Sequence, residues 1–273
     1  MQMARTNWSI KEEIREYWSG RAATFDLSPG HEIFTDEERA AWHALFRRHL
    51  GDGRGRGALD LASGTGVISR LLHELGFKVT GLDFAEPMLE RARAKAASGQ
   101  LPVDFVAGDA EQTFESDDSY DVLVTRHLVW TLEDPPRAFA EWFRILKPGG
   151  SLLIVDHDPT ARTLRAKTMR RIAGFLKGRA KPAPSPGVDR AVHERIVAQV
   201  YFSGGTRPEA VARLLAEAGF ADIVIDRDLR AVHRGQGLRM PLYQRLERAS
   251  QDRYAVCARK PESPEPSSPR RTP

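Results

Sequence analysis

The stretch LDLASGTG, residues 59–66, stands where a short strand at 58–60 is followed by a helix that begins at Val67. Glycines in such a turn let the backbone approach a ligand closely, and the helix that follows presents unpaired N–H groups to it. A second acid, Asp83, ends the next strand 19 residues after Gly64, where a carboxylate accepts hydrogen bonds from the hydroxyls of an adenosine ribose. This pair of features predicts a ligand that contains adenosine.

Strands and helices alternate along the chain that follows this turn. Helices are predicted to begin at Val67, at Pro87 and at Pro135 or Pro136, and a later one covers 208–218. Strands are predicted at 77–83, 103–107, 120–125, 151–156, 221–229 and 253–259. The alternation predicts an α/β fold whose parallel sheet has helices on both faces.

Four other segments lie outside this alternation. Residues 1–50 contain two helical patterns, the second with a possible capping box at Thr35 and Glu38. The glycine-rich residues 51–57 are predicted to be a linker. The alternation pauses between 160 and 205, and residues 261–273 have the Pro, Ser and charge content of a disordered tail.

Composition narrows the class of protein. The net charge of +4 over 273 residues is too mild to indicate a nucleic-acid partner. The single cysteine, Cys257, excludes an intrachain disulfide and a thiolate-rich metal site. No apolar run approaches the roughly 20 residues of a membrane span, and residues 1–15 lack the apolar core of a secretory signal. We therefore expect a cytoplasmic protein without stable membrane association.

Eight lysines and arginines and no acid lie between residues 162 and 181. A run of this kind fits a solvated helix face followed by a loop. It also fits a surface for an anionic substrate, partner or membrane.

Two classes of adenosine-containing cofactor fit the turn at 59–66. A nicotinamide dinucleotide would favour a third glycine where Ser69 stands, and the carboxylate of Asp60 would repel its pyrophosphate. The same carboxylate suits the positive amino group of S-adenosylmethionine. An acid at the end of the third strand, Asp109, can accept from an adenine amino group. The residues therefore favour S-adenosylmethionine.

At this point the sequence resembles the class I S-adenosylmethionine-dependent methyltransferases, in the branch with the ubiquinone- and menaquinone-biosynthesis-type enzymes and many small-molecule methyltransferases. The resemblance covers about residues 55–158 and 206–260. It rests on LDLASGTG at 59–66, VTGLD at 79–83 with PML at 87–89, GDA at 108–110, YDVLV at 120–124, FRILKPGG at 143–150, LAEAGF at 215–220 and YAV at 254–256. One departure is Ala62, where the family usually has glycine.

The resemblance implies a Rossmann-like, seven-stranded, mostly parallel sheet with an antiparallel last strand. Residues 51–260 would form the methyltransferase domain. Residues 1–50 would be an N-terminal helical lid, and residues 160–205 would be an inserted cap over the carboxyl ends of the strands.

The resemblance also implies a cofactor site for S-adenosyl-L-methionine. Asp60 and the backbone of Gly64–Gly66 would hold the methionine moiety, Asp83 the ribose, and Phe84 with Met88 the adenine ring. Asp109 and Ala110 would read the adenine edge. The expected cofactor-binding residues are thus Asp60, Ala62, Gly64, Gly66, Asp83, Phe84, Met88, Asp109, Ala110 and Thr125.

The methyl acceptor is expected beyond the ends of strands four and five. In-line methyl transfer depends largely on alignment, and a base assists when the nucleophile carries a proton. His127, with a pKa near neutrality, is the first candidate for a base or orienting group, and His157 is the second. The expected acceptor-binding residues are Tyr17, Trp18, His31, Arg126 and Trp130.

Other functions remain open at this stage. A nucleic-acid or protein methyltransferase is one alternative, although Asp134-Pro-Pro-Arg137 lacks the aromatic residue of amino-directed nucleic-acid enzymes. A non-catalytic S-adenosylmethionine-binding protein is another. His127, His157 and Asp158 match no recognised metal spacing, so no metal is expected. The small-molecule enzyme is expected to be a monomer or a homodimer.

Overall fold

A computed structural model describes residues 9–28, 30–158, 164–178, 189–238 and 240–262. Seven strands form one sheet in the order β3-β2-β1-β4-β5-β7-β6. They are β1 (Gly57–Leu61), β2 (Lys78–Asp83), β3 (Asp104–Ala107), β4 (Tyr120–Arg126), β5 (Leu146–Asp158), β6 (Ala221–Asp226) and β7 (Asp252–Arg259). β7 runs antiparallel to both of its neighbours, and the pairs among β1 to β5 are parallel. The predicted Rossmann-like sheet with an antiparallel last strand is confirmed.

Ten α-helices connect and cover the strands in the described part of the chain. They are α1 (Ile10–Arg21), α2 (Asp36–Leu50), α3 (Val67–Glu74), α4 (Glu86–Gly99), α5 (Pro135–Ile145), α6 (Leu164–Lys177), α7 (Arg190–Gln199), α8 (Pro208–Glu217), α9 (Arg230–Gly237) and α10 (Leu242–Ala249). Short 3₁₀ helices lie at Ala22–Leu27 and Val129–Thr131. None of these described helices combines the length and the hydropathy that a membrane span requires.

The central strands form because their side chains are apolar on both faces, as a sheet covered by helices on both sides demands. One apolar cluster joins α2 and α3 to one face of the sheet and includes Trp42, Phe46 and Leu71. The other joins α5 and α8 to the opposite face and includes Trp142 and Leu215. The carboxyl ends of the parallel strands thus converge at one edge between two well-packed layers.

Three local predictions differ from the structure. Residues 51–57 are no linker, because Gly53 and Gly55 donate to the carbonyls of Leu75 and Gly76 at 2.8 Å each and so fix the segment beside α3. β5 begins at Leu146, ahead of the predicted strand. The strand predicted at 221–229 ends at Asp226.

The segments outside the alternation surround the carboxyl edge of the sheet. α1 packs on α7, α2 on α9, and α6 on α10. Residues 1–8, 159–163, 179–188 and 263–273 lie outside the described residues, so the predictions for the tail and for parts of the lid and cap are not addressed.

Candidate active site

A cavity of about 490 Å³ opens at the carboxyl ends of β1, β2, β4 and β5. Most of the residues predicted to bind cofactor or acceptor line it. They are Trp18, His31, Asp60, Ala62, Gly64, Asp83, Phe84, Met88, Arg126, His127, Trp130 and His157. The fold therefore brings together side chains from four strands and from the N-terminal helix.

The glycine-rich turn shapes one wall of the cavity. Ala62 has φ 57° and Gly64 has φ 55°, both in the left-handed region. Glycine adopts that region freely, whereas alanine is strained there by roughly 1–2 kcal/mol. Asp83 fixes the turn by accepting from the backbone N–H groups of Gly64 at 2.8 Å and of Ala85 at 2.9 Å. The turn is thus held open toward the cavity by the acid expected to face the ribose.

Two buried polar side chains beside this turn have few or no hydrogen-bond partners. Asp60 is 1% exposed and accepts from the Ser69 hydroxyl at 2.6 Å. Burial raises the pKa of Asp60 to about 7, although Ser69 and Arg126 oppose the shift. The buried hydroxyl of Ser63 has no hydrogen-bond partner in the described part of the chain. A ligand with a positive amino group would fit this wall, because it would restore the charged form of Asp60.

Two predicted cofactor residues lie behind the cavity wall. Thr125 is fully buried and its hydroxyl donates to the carbonyl of Leu61 at 2.8 Å, which ties β4 to β1. Gly66 is the N-cap of α3 at φ 80°, and a Cβ there would lie 2.8 Å from the Phe105 ring. Both residues support the turn, and their contact with a cofactor stays a prediction.

Three other predicted residues also lie off the cavity wall. Asp109 accepts from Lys11 of α1 at 2.7 Å, and the carbonyl of Ala110 accepts from Trp142 at 2.7 Å. Tyr17 is buried and packs edge-on against Trp18. Their predicted contacts with adenine or acceptor remain predictions.

The 3₁₀ segment after α1 covers the glycine-rich turn. Asp26 accepts from the Thr65 hydroxyl at 2.5 Å and from Lys95 at 3.0 Å. Glu32 accepts from Arg70 at 2.6 Å and from the same Lys95 at 2.9 Å. These bonds join the segment to α3 and α4 on both sides of the turn.

Aromatic rings follow this segment into the cavity. Phe25 stacks on His31 with ring centroids 4.2 Å apart. Trp18 makes edge contacts with Phe25 at 6.0 Å and with Trp130 at 6.3 Å. The resulting wall is apolar and aromatic and faces the ends of β4 and β5.

His127 and His157 face one buried carboxylate, and the Nδ1 atom of each ring lies just beyond hydrogen-bond distance from it. Asp156 is 1% exposed, and the Nδ1 atoms of both imidazoles lie 3.6 Å from its Oδ1. The two rings meet edge to face with centroids 5.3 Å apart. Asp156 also accepts from the backbone N–H groups of Val129 at 3.1 Å and His157 at 2.8 Å, which fixes its position. His127 has φ 62°, a strained conformation that is concentrated at functional sites.

The protonation of this cluster differs from the expectation of a near-neutral His127. Burial lowers the pKa of His127 to about 3, and the charge of Arg126 acts in the same direction, although Asp156 opposes both. Burial alone would raise the pKa of Asp156, but the two histidines hold it below its usual range. The imidazole is therefore neutral at physiological pH and offers a lone pair rather than a charge.

The three residues also form a grouping that could hold a metal ion, with ligand atoms within 4.8 Å of one another. The acid in this grouping is Asp156, which directly precedes His157 on β5, and not Asp158. Arg126 and Arg253 also line the cavity, and the charge of Arg253 interacts with that of Asp156. Their positive charges oppose a divalent cation there.

Several cavity residues were not predicted from the sequence. They are Arg21, Phe25, Ser63, Thr131, His193, Val197, Phe202, Thr206, Arg248, Gln251 and Arg253. Asp156 belongs to the motif VDHD at 155–158, which pointed to the strand end but not to the carboxylate that both histidines face. Phe25 and Arg21 lie in the same aromatic segment as Trp18. Arg253 is the residue paired with His157 in the sheet, a relation that requires the strand order.

Comparisons with known proteins agree with this architecture. Residues 59–154 match the methyltransferase domain family. A demethylmenaquinone methyltransferase of Thermus thermophilus is 33% identical over 169 residues, which are 60% of this chain and 73% of the relative. A demethylmenaquinone methyltransferase of Renibacterium salmoninarum is 28% identical over 229 residues, which are 78% of this chain and 90% of the relative.

Among solved structures, the phosphoethanolamine N-methyltransferase 2 of Haemonchus contortus, in complex with S-adenosyl-L-methionine, has the same fold. Its TM-score is 0.66 at 16% identity, over 95% of this chain and 62% of that protein. The chain thus spans about three fifths of that protein's length.

The matched domain family and the curated relatives identify an S-adenosylmethionine-dependent methyltransferase of class I that acts on a small molecule. The chain belongs to this family, and its similarity extends over most of the demethylmenaquinone methyltransferases that it matches.

Proposed function

We propose that Asp60, the turn from Ala62 to Gly64, and Asp83 bind S-adenosylmethionine at the cavity. Asp60 would take the amino group of the methionine moiety and Asp83 the ribose hydroxyls. Support comes from the raised pKa of Asp60 and from Asp83, which uses one lone pair of each oxygen on backbone N–H groups and keeps others free. Phe84 and Met88 line the cavity beside Asp83 and would flank the adenine ring.

The cofactor supplies a methyl group on a positive sulfonium, and the protein has to align a nucleophile with it. His127 is the residue that we propose for this task, because it follows β4 immediately and β4 pairs with β1 beside Asp60. Asp156 would hold the Nδ1–H of His127, which leaves Nε2 as the acceptor toward the cavity. His157 would orient the acceptor from β5. The observation that carries the proposal is the Asp156 carboxylate faced by both imidazoles.

The acceptor would lie against the aromatic wall formed by Trp18, Trp130 and His31. Arg126 extends from β4 toward the same space. The names of the bacterial relatives suggest a quinol among the candidates. We propose an acceptor small enough for a cavity of about 490 Å³ and not a nucleic acid, because α1 and the 3₁₀ segment cover one side of this cavity.

We also propose that the protein works in the cytoplasm as a monomer or a homodimer. The only cysteine, Cys257, is buried and free, as is usual in a reducing compartment. Cell fractionation and analytical ultracentrifugation test these two statements separately.

Turnover of His127→Ala tests the assignment of the acceptor side. With a demethylmenaquinol analogue and a panel of phenols, amines and acids as acceptors, we expect kcat to fall by about 10²-fold. The affinity for S-adenosylhomocysteine should change by less than about twofold, since His127 lies beyond the cofactor wall. Asp156→Asn should show a similar fall in kcat with a shifted pH profile, because Asp156 acts by positioning the imidazoles.

His73→Ala is the matched control, because His73 ends α3 and does not line the cavity. Full turnover by His127→Ala with unchanged acceptor KM would remove His127 from the site. His157→Ala would then be tested in the same assay.

A further inference from the structure

Three arginines of the cavity lining lie close enough to one another to repel. Arg126 follows β4, Arg248 belongs to α10, and Arg253 begins β7, and all three line the cavity. The guanidinium of Arg126 donates to the carbonyls of Gly30 at 3.2 Å and His31 at 3.5 Å and lies 5.6 Å from the centre of the Trp42 ring. These hydrogen-bond and ring partners are neutral, although the carboxylates of Asp60, Glu38, Glu32 and Asp26 act on the charge of Arg126 from a distance.

Arg253 has a similarly incomplete environment. Its Nη2 donates to the neutral amide oxygen of Gln251 at 2.6 Å, and its buried Nε has no hydrogen-bond partner among the described residues. No described carboxylate lies within 4.0 Å of the guanidinium nitrogens of Arg126 or Arg253. A guanidinium offers five donors, so both groups retain donor capacity toward the cavity.

At Arg253, the nearby acid offsets only part of the burial and of the repulsion from the other arginines. Burial, followed by repulsion from Arg248 and Arg126, lowers the pKa of Arg253 well below its usual range, and Asp156 offsets only part of this. Burial and Arg126 lower the pKa of Arg248 to about 10, with Glu38 opposing. Because Asp156 already accepts two backbone N–H groups and faces two imidazoles, one further anion would relieve the mutual repulsion of the arginines.

The order of the strands separates Arg253 from the cofactor wall. Asp60 is on β1, Arg126 on β4, His157 on β5 and Arg253 on β7, which are successive neighbours in the sheet. Arg253 is the direct partner of His157 in the β5–β7 ladder. Three strand spacings place Arg253 about 14 Å from the strand of Asp60. The histidine pair therefore lies between the expected position of the sulfonium and Arg253.

A surface groove adjoins the cavity at Arg248 and Arg253. The groove of about 1300 Å³ shares Arg248, Gln251 and Arg253 with the cavity. Its remaining described lining includes five more arginines, Arg207, Arg227, Arg230, Arg234 and Arg245, and the acids Asp158, Glu209 and Asp252. The arginines outnumber the acids, so the potential along this groove favours the approach of an anion.

We propose that the methyl acceptor is an anionic small molecule whose carboxylate or phosphate group binds Arg253 and Arg248 in the cavity, with Arg126 beside it. This inference rests on the proposed function, since the acceptor is placed by His127. An anion at Arg253 would set the reacting atom toward β4, two strand spacings or about 10 Å away. The substrate class is then a compact acid or phosphate ester, and not the neutral quinol that the names of the relatives suggest.

The first test uses inorganic phosphate as the probe. Phosphate is titrated into the protein saturated with S-adenosylhomocysteine at pH 7, and the heat of binding is measured. We expect binding to the wild type and an affinity about tenfold or more lower in Arg253→Gln, because a charge-assisted contact is lost. Arg253→Lys should recover part of the affinity. Arg234→Gln, an exposed groove residue outside the cavity, is the control with the same change of charge and should bind phosphate as the wild type does.

The affinity for S-adenosylhomocysteine distinguishes the possible outcomes. We expect it to be unchanged in Arg253→Gln, which also shows that the variant is folded. If it falls together with phosphate binding in both Arg253→Gln and Arg253→Lys, the arginine serves the carboxylate of the cofactor and the proposal is wrong. The proposal would also be overturned if phosphate did not bind the wild type, or if it bound Arg253→Gln as tightly as the wild type.

The second test compares acceptors. The panel pairs each carboxylic acid with its neutral methyl amide and each phosphate ester with its parent alcohol. We expect the anionic member of a pair to have the higher kcat/KM and to lose that advantage in Arg253→Gln. Equal turnover of neutral and anionic members would contradict the anionic class. If the wild type binds phosphate but methylates no member of the panel, the proposed function is wrong and the anion site is still supported.

Discussion

Asp60 shows how one buried acid at the end of a strand prepares a site for a charged ligand. The side chain is 1% exposed and has one hydroxyl donor, so the carboxylate is poorly solvated. Burial raises its pKa to about 7. A bound amino group would lower that pKa again, so cofactor binding and deprotonation of Asp60 are linked.

The linkage fixes the direction of a pH effect on cofactor affinity. Because the complex requires the charged form of Asp60, we expect binding to release close to one proton near pH 6. The affinity for S-adenosylhomocysteine should rise with pH up to about 7 and then level off, because Asp60 is charged above that pH. Calorimetry in buffers with different ionisation enthalpies measures the number of protons released.

Asp60→Asn should abolish the rise below pH 7 and weaken binding by about tenfold or more at pH 7.5. Asp36→Asn, on the exposed first turn of α2, is the control with the same change of charge. A rise with pH that persists in Asp60→Asn would assign the proton to another group.

At this scale the sequence predicts which residues stand at the strand ends but not where every side chain goes. Thr125 and Asp109 occupy the expected positions after β4 and β3. Thr125 turns to the carbonyl of Leu61, and Asp109 turns to Lys11 of α1. These partners come from other elements of the fold, and no spacing along the chain reveals them.

Among the elements, the 3₁₀ segment Ala22–Leu27 and the loop to Glu32 act as one cover over the glycine-rich turn. Lys95 of α4 joins Asp26 and Glu32, and its side chain is 33% exposed. An ion pair of this exposure contributes about 1 kcal/mol or less to the stability of a protein. Its effect should be larger on the closed position of the cover than on the whole fold.

We expect Lys95→Ala to lower the affinity for S-adenosylhomocysteine by about fivefold, because closing the cover would lose roughly 1 kcal/mol. The melting temperature without ligand should change little. Limited proteolysis should cut near residues 22–32 faster than in the wild type, and ligand should slow the cut. Arg91→Ala, an exposed change on the same helix, is the control. Unchanged affinity and proteolysis in Lys95→Ala would show that the aromatic contacts alone hold the cover.

Periodicity finds the elements whose apolar face meets the sheet and misses those that pack on other helices. The predicted helices at 67–75 and 208–218 match α3 and α8 closely, because their buried residues recur at helical spacing. α9 and α10 were not predicted, since their sequences are rich in Arg, Gln and Gly. α6 lies in the basic stretch between residues 162 and 181. Its Leu164 and Phe175 are exposed while Ala166 and Ala173 are buried, because small residues allow close packing on α10.

At the scale of the whole molecule, several buried histidines have lowered pKa values and are neutral in the folded state near pH 7. Burial lowers the pKa of His31, His127 and His193, and it lowers that of His233 to about 4, where Arg253 and Arg248 act in the same direction. Asp60, with a folded pKa of about 7, has the opposite sign, and so do Asp83 and Glu38, because burial raises the pKa values of all three carboxyl groups. The titration of the histidines should therefore dominate the pH dependence of stability between pH 4 and 7.

We expect the free energy of unfolding to fall as the pH falls from 7 toward 5, because the unfolded chain binds protons on these histidines and the folded chain does not. A single group contributes at most about 1.4 kcal/mol per pH unit, and partial exposure reduces this. Urea unfolding at pH 7.5, 6.0 and 5.0 measures the trend. His233→Gln should make it shallower, since it removes one titrating group outside the proposed catalytic site, and Asp60→Asn should make it steeper, since it removes an opposing one. Stability that is constant or rises on acidification in the wild type, or a slope unaltered in both variants, would mean that these groups are solvated enough in the folded state to titrate as they do in the unfolded chain.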